Sequence, residues 1–171
     1  MVWLPFMLHP EFPPEGISRA QFGIPVSDSL LETFREAGLP AAPDPDHIPN
    51  SRKALRVAEL ARAHDRLDVL HPRLFTAVWG EGRDIGEDEV LVELATGAGL
   101  DEAEVREVLA SDRYGDFVDE ATSKAMEIGA GGVPAWVLDG RMLIPGAQPH
   151  EVFERVLDRF GHPPLDGGAG A

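Results

Sequence analysis

The chain has 171 residues, of which 43% are apolar and 26% are charged, and its formal net charge at pH 7 is −15. This length and composition exclude a disordered chain and predict one folded domain over residues 1–171. The negative charge and the lack of any basic run argue against a nucleic-acid partner. The apolar stretch of residues 1–10 is too short to cross a membrane and lacks the basic start of a secretory signal, so we expect a cytoplasmic protein.

The sequence contains no cysteine. The chain therefore cannot form a disulfide, bind zinc through thiolates or attack a substrate through sulfur. The six histidines form no His-x-x-x-His pair, so we expect no metal site. Lys53 and Lys124 are the only amine side chains, and neither lies in a recognisable catalytic pattern.

The first predicted elements are a strand and a short helix. Branched and aromatic side chains dominate residues 2–8 and favour a strand there. Pro5 lacks a backbone donor and therefore favours an edge position in a sheet. Ser27 or Asp28 can cap the helix that follows, and Gly38 ends it.

A block of helices follows. Asn50 or Ser51 can cap the first of them, whose small and apolar side chains recur at the spacing of a buried helix face. Apolar periodicity predicts four further helices, at about residues 72–79, 87–95, 102–110 and 112–128. We expect Pro72 in the first turn of its helix, where a backbone donor is not needed.

The pattern then becomes extended. Val133–Leu138 and Met142–Ile144 are predicted to form a β-hairpin, because Asp139-Gly140 between them suits a tight turn. An isolated strand or hairpin is only marginally stable in water. We therefore expect the strand at residues 2–8 and this hairpin to share one sheet, with the helical block as an insertion.

The chain is expected to end with a helix and a flexible tail. Apolar side chains at helical spacing predict the helix from about Gln148 to Phe160, with Gly161 as its end. Residues 162–171 contain few side chains that could pack against a core, so we expect them to be flexible.

Three separated segments carry a resemblance to a known family. They are Trp3-Leu4-Pro5-Phe6 with Leu8, Pro10 and Gly16; Asn50-Ser51, Leu74-Phe75 and Glu81-Gly82-Arg83-Asp84-Ile85; and Gly132-Val133-Pro134-Ala135-Trp136 with Gly146-Ala147-Gln148. In this order and spacing the segments resemble the DsbA-type thioredoxin-fold oxidoreductases, and in particular their FrnE-like branch. The resemblance covers residues 2 to about 160.

The resemblance implies an α/β fold with a thioredoxin-like sheet in residues 1–17 and 112–161 and a large all-helical insertion at 27–111. Members of the family begin with a strand and a helix that starts at a Cys-x-x-Cys pair. This chain starts after that unit, so the first and central strand of the family is missing from it. The resemblance therefore implies a DsbA- or FrnE-like protein that lacks the redox cysteines, has no catalytic residue and is inactive in dithiol exchange.

The resemblance also implies a binding site. A cis peptide bond is expected between Val133 and Pro134, where an extended peptide or a small thiol such as glutathione would dock, although an ordinary loop with a trans proline is the alternative. Asn50 is a candidate for the same groove, but a helix-capping role would explain it as well. No metal and no resident cofactor are expected, apart from a possible bound thiol.

Three functions remain open at this point. The chain could be an oxidoreductase relative whose catalytic start lies elsewhere, a redox-inactive thioredoxin-like peptide-binding or scaffold protein, or a relative of the glutathione-dependent 2-hydroxychromene-2-carboxylate isomerases. Because a missing central strand leaves unpaired strand edges, the remaining strands are expected either to pair with one another or to form a homodimer.

Overall fold

The computed structural model of the protein describes residues 2–23, 26–42 and 46–162. The chain divides into two compact units, Met1–Ser123 and Lys124–Ala171. The single domain expected over residues 1–171 stays a prediction, and all but the first residue of the expected tail lies outside the described residues.

The first unit is mostly helical. Its elements in chain order are β1 (Ile17–Ser18), α1 (Arg19–Phe22), α2 (Asp28–Glu36), β2 (His47–Ile48), α3 (Arg52–Ala63), α4 (Leu67–Phe75), a π-helical turn (Thr76–Gly80), α5 (Asp88–Gly97) and α6 (Glu102–Ala110). Helix α7 (Gly115–Glu127) follows and contains the boundary between the units. The predicted helices at residues 87–95 and 102–110 are confirmed within two residues, and Asp101 caps α6 by accepting a hydrogen bond from the Glu104 N–H.

The core of this unit lies among helices α3 to α6. Its largest fully buried side chains are apolar and come from all four of these helices, with Leu60, Leu70, Leu91, Val105 and Val108 among them. Burial of one such side chain contributes about 1.5 to 3 kcal/mol. The helical spacing in the sequence therefore predicts helices that do contribute to this core, but it singled out neither Leu60 nor Leu70.

Arg56 is a charged residue within that core, with only 5% of its surface exposed. Its Nε donates to the Arg113 carbonyl at 3.0 Å, and its Nη2 donates to the carbonyls of Val108 and Ser111. These carbonyls lie at and after the end of α6, where a helix leaves its last acceptors unpaired. The buried guanidinium thus satisfies the C-terminal end of α6.

Arg56→Met tests this role. The substitution keeps the apolar stem and removes every donor, so buried carbonyls lose their partner and the free energy of unfolding should fall by about 2 to 4 kcal/mol. Urea unfolding followed by the helical circular dichroism signal measures the change. Arg35→Met on the exposed face of α2 is the matched control and should change stability by less than about 0.5 kcal/mol. Equal effects of the two substitutions would contradict the assignment.

The strand predicted at residues 2–8 is wrong. These residues form no strand and pair with no other strand among the described residues. Two of their backbone groups bond to side chains instead: the Met7 N–H donates to Thr122 Oγ1 at 3.0 Å, and Arg62 Nη2 donates to the Trp3 carbonyl. Pro5 supplies no donor. The apolar character of the segment reflects the burial of Met7 against helices and not a place in a sheet.

The helix predicted at residues 72–79 does not start at Pro72. Helix α4 begins at Leu67, so Pro72 lies in its interior, and the π-helical turn continues the chain from Thr76 to Gly80. An interior proline removes one helical hydrogen bond and usually disfavours the helix. Here Leu70 and Leu74, on either side of Pro72, are buried in the core, and this burial outweighs the local cost.

The aromatic rings of Trp3, His71 and Phe75 form a row on the surface of the first unit. The centroids of Trp3 and His71 lie 5.5 Å apart, and those of His71 and Phe75 lie 5.0 Å apart. Burial in this row lowers the pKa of His71 below its usual range, and the positive charge of Arg62 adds to the effect.

His71 should therefore make stability depend on pH. Since its pKa is lower in the folded than in the unfolded chain, its contribution is complete above about pH 6.5 and is lost as the pH falls below that value. His71→Phe should reduce the slope of unfolding free energy against pH between 7 and 5. Phe75→Leu changes the same row without removing a titratable group and should keep the wild-type slope. An unchanged slope of unfolding free energy against pH in the His71→Phe variant would contradict the role of His71.

The second unit contains a β-hairpin and a helix. Strand β3 (Ala135–Leu138) pairs antiparallel with β4 (Met142–Pro145), and α8 (His150–Arg159) follows. Asp139 and Gly140 both have positive φ, and the Arg141 N–H donates to the Leu138 carbonyl at 2.9 Å, which confirms the predicted tight turn.

The expected shared sheet is not formed among the described residues. They contain two separate two-stranded antiparallel sheets, in which β1 pairs with β2 and β3 pairs with β4. The sequence argument failed because it counted residues 2–8 as a strand and overlooked the short pairing of Ile17 with Ile48. Two-residue strands carry no periodicity that a sequence could reveal.

Candidate functional site

The Val133–Pro134 segment leads into β3, and its peptide bond is cis, as the sequence predicts. The Pro134 carbonyl accepts a hydrogen bond from the Gly146 N–H at 2.7 Å, just beyond the end of β4. The Gln148 side-chain amide donates to the Pro145 carbonyl at 2.7 Å. The first bond fixes the start of β3 against the end of β4, and the second joins the end of β4 to the turn before α8.

Gly146 and Gln148 have roles that sequence reasoning did not assign to them. Gly146 has a φ of 74°, which glycine adopts without the steric cost that a side chain would add. This backbone turn is the one from which its N–H donates to Pro134. A glycine directly after a predicted strand was the available signal, but a single glycine does not reveal its hydrogen-bond partner.

Val133 and Pro134 are both exposed, and 56% of the surface of Val133 is accessible. Neither its backbone N–H nor its carbonyl has a hydrogen-bond partner within the part of the chain that the structure describes. On the adjoining strand, β3 pairs only with β4 among these residues, so its other edge is open. An open strand edge with unpaired backbone groups is the feature to which an extended peptide adds.

The hairpin has a firm support on one face. Trp136 of β3 and Phe153 of α8 meet edge to face, with ring centroids 5.3 Å apart and planes at 76°. Ile144, opposite Trp136 on β4, is buried. This packing orders β3 before any ligand binds. The entropy cost of binding along its edge is therefore lower than it would be for a mobile strand.

Asn50 lies in the first unit, at the start of α3. Its Nδ2 donates to the carbonyls of Phe12 and Pro13 at 2.9 and 3.2 Å, and its Oδ1 accepts from the Arg52 N–H at 2.9 Å. The amide therefore joins the loop at residues 12–13 to the beginning of the helix. This geometry accounts for Asn50 structurally, and its role in a ligand groove stays a prediction.

The described residues show neither a metal site nor a membrane-spanning helix. Over residues 2–23, 26–42 and 46–162, no three histidine or carboxylate side chains converge into a possible metal site. Among the helices that the structure describes, none has the length and apolar character that a membrane crossing requires.

Comparison with known proteins identifies the fold and the family. The model of the DSBA-like thioredoxin domain matches residues 1–158. A probable DsbA oxidoreductase from Streptomyces coelicolor is 30% identical and superposes with a TM-score of 0.80, covering 97% of this chain and 77% of that one. The uncharacterized protein YwbO of Bacillus subtilis is 26% identical over 166 residues, which are 91% of this chain and 79% of the relative.

A second solved structure supports the fold alone. A 2-hydroxychromene-2-carboxylate isomerase is 24% identical, with a TM-score of 0.61 over 78% of this chain and 64% of that one. The architecture is therefore a mainly helical, thioredoxin-like α/β fold with small sheets, as the sequence predicts.

Thiol exchange gives a direct test of what the residues of this chain can do. Dithiol exchange requires a thiolate that attacks a disulfide sulfur, and the 171 residues contain no cysteine. The purified chain should leave the rate of insulin reduction by dithiothreitol at the uncatalysed value. The matched measurement is an active DsbA-type enzyme under the same conditions. An acceleration by the purified chain that grows with its concentration would contradict the expectation.

Proposed function

The chain belongs to the DSBA-like thioredoxin domain family, and we propose that it is a redox-inactive member that binds an extended peptide along Val133 and the open edge of β3. Family membership supplies the fold that presents such an edge. The lack of cysteine removes the exchange step and leaves the binding step. Binding and exchange are separable because the backbone edge contains no reacting atom.

The observation that carries the proposal is the unpaired backbone of Val133. A peptide in the extended conformation has one N–H and one carbonyl free on each edge at every second residue. Such a peptide would donate to the Val133 carbonyl and accept from its N–H, which continues the pairing beyond β3. Pro134 supports this arrangement because it has no N–H of its own that would need a partner.

The charge of the protein favours one class of peptide. With a formal net charge of −15, the chain attracts basic peptides and repels acidic ones. The exposed side chains of Val133 and Val137 offer apolar contact to the peptide. The preferred ligand is thus an extended peptide with branched apolar and basic side chains.

Fluorescence anisotropy with a labelled hexapeptide of alternating valine and threonine, flanked by lysines, tests the proposal. Val133→Asp places a carboxylate at the apolar contact and should weaken binding by about tenfold or more, since one lost buried contact is worth about 1.4 kcal/mol. Val2→Asp makes the same change at an exposed valine of the first unit and should leave the affinity unchanged.

A modified ligand gives a second readout that does not alter the protein. A hexapeptide that is N-methylated at its central residue loses one backbone donor and should bind more weakly than the parent. Equal binding of both peptides, or equal effects of Val133→Asp and Val2→Asp, would refute strand addition at this edge.

Glutathione is the alternative ligand, a small thiol in place of a peptide. The sequence predicts that Asn50 would contact it. Calorimetry separates the two ligands: binding heat with glutathione that disappears in the Asn50→Ala variant would favour the small thiol over a peptide.

A second copy of the chain is the competing occupant of the β3 edge. It predicts a homodimer that the hexapeptide dissociates. We also propose a cytoplasmic location, which rests on the sequence alone.

A further inference from the structure

The hydrogen-bond pattern of the β3–β4 hairpin determines which backbone groups of β3 face its open edge. In an antiparallel pair, residues that exchange hydrogen bonds with the partner strand alternate with residues that do not. The Gly146 N–H donates to the Pro134 carbonyl. This bond lies in the register that places Trp136 opposite Ile144. Pro134 and Trp136 therefore direct their backbone groups towards β4.

Val133, Ala135 and Val137 alternate with those residues, so their backbone groups point away from β4. The open edge thus offers a donor and an acceptor at each of these positions. An antiparallel peptide that bonds to the Val133 backbone would continue along the edge and bond to every second residue. The central bonded residue of that peptide would lie opposite Ala135.

The side chains of the same residues share one face of the hairpin, because alternate residues of a strand point to the same side. Half of the Val137 surface is exposed (50%), whereas Ala135 is partly buried. The other face of β3 is covered within the second unit, since Trp136 packs against Phe153 of α8. A peptide side chain on the first face would therefore meet the two valines and the alanine.

Ala135 forms the floor of a shallow notch on this face. Its side chain is a single methyl group, and the branched side chains of Val133 and Val137 flank it at about 7 Å along the chain. Pro145 lies directly opposite Ala135 on β4 and borders the notch on the side away from the open edge. A large side chain on the peptide residue opposite Ala135 would reach across the methyl group, because directly paired residues have neighbouring side chains.

The strands that form the notch carry no charge. Strand β3 reads Ala-Trp-Val-Leu and β4 reads Met-Leu-Ile-Pro, so neither strand has a charged side chain. The centres of protein interfaces are likewise depleted of charged residues. A polar peptide side chain placed in the notch would lose water without gaining a hydrogen bond from these side chains. The notch therefore suits a large apolar side chain.

We propose that Ala135 determines which peptides bind best along the β3 edge. The preferred peptide has a phenylalanine or leucine opposite Ala135 and small or branched residues opposite Val133 and Val137. A bulky residue at either outer position would meet a valine instead of the notch. This inference rests on the proposed function, because it concerns the same peptide-binding edge.

Anisotropy competition with variants of the valine–threonine hexapeptide tests this preference. In the antiparallel register the valines of the peptide would lie opposite Val137, Ala135 and Val133 in turn. Phenylalanine in place of the middle valine should strengthen binding by about threefold, the size typical of one favourable cross-strand pair. Phenylalanine in place of the first valine is the matched control. It should bring no gain, because it either meets Val137 or forces a shift that leaves one end of the peptide unpaired.

Ala135→Val fills the notch with a side chain that strands accommodate well. The affinity ratio of the middle-phenylalanine peptide to the parent peptide should fall from about threefold to about one. Ala103→Val makes the same substitution at an exposed position of α6 and should keep the wild-type ratio. Because the ratio is measured within each protein, a general change in affinity caused by the substitution cancels.

The outcomes separate this inference from the proposed function. If the parent peptide binds but phenylalanine at the middle position brings no gain, or the gain persists in Ala135→Val, Ala135 does not determine the preference. The wild-type peptide series decides the matter even if Ala135→Val folds poorly. A homodimer that persists at saturating peptide would mean that a second copy covers this face, and it would also overturn the inference. If none of the hexapeptides binds, the proposed function itself fails.

Discussion

Burial of α3 is the interaction on which the first unit depends. This helix contacts α4, α5 and α6, and seven of its twelve residues are buried. Two of the buried residues are charged, and each connects the helix to another part of the chain. Arg56 pairs with the carbonyls at the end of α6, and Glu59 holds Arg62, which in turn donates to the Trp3 carbonyl.

The start of the same helix fixes the loops before it. Asn50 binds the carbonyls at residues 12–13, and the Ser51 hydroxyl contacts the sulfur of Met7 at 3.9 Å. Helix α3 and the two residues before it therefore organise both the core and the opening segment of the chain. Side chains on α3 and α7 take over the pairing that a neighbouring strand would otherwise supply to that segment.

Local patterns and long-range partners differ in what a sequence can reveal. The helices α5 and α6 and the Asp139-Gly140 turn were predicted because each depends on residues within one or two turns of chain. Residues 2–8 were misassigned because an apolar, branched segment has the same composition whether it pairs with a strand or packs on helices. The start of α4 was misplaced because burial of Leu70 and Leu74, which no local rule contains, outweighs Pro72.

The candidate site shows the same division. Val133 and Pro134 were identified through a resemblance of ordered segments, whereas the bond from Gly146 that fixes them joins residues 12 positions apart and has no local signal. The Asn50 amide and the carbonyls of Phe12 and Pro13 are 38 and 37 positions apart and were not paired by any sequence argument. Contacts between residues this far apart in the chain become visible only when the intervening segments are placed.

The contrast between Met7 and Val133 explains why one irregular segment is structural and the other is a candidate for binding. Both are apolar residues outside the strands and close to a proline. The Met7 N–H has a buried hydroxyl as acceptor, so a ligand would have to displace a bond that is already made. The Val133 backbone has no such partner among the described residues, so a ligand gains its hydrogen bonds without breaking one within the protein. Binding is therefore expected where the fold leaves backbone groups to water, and the cysteine-free composition determines that such binding does not proceed to exchange through this chain's own side chains.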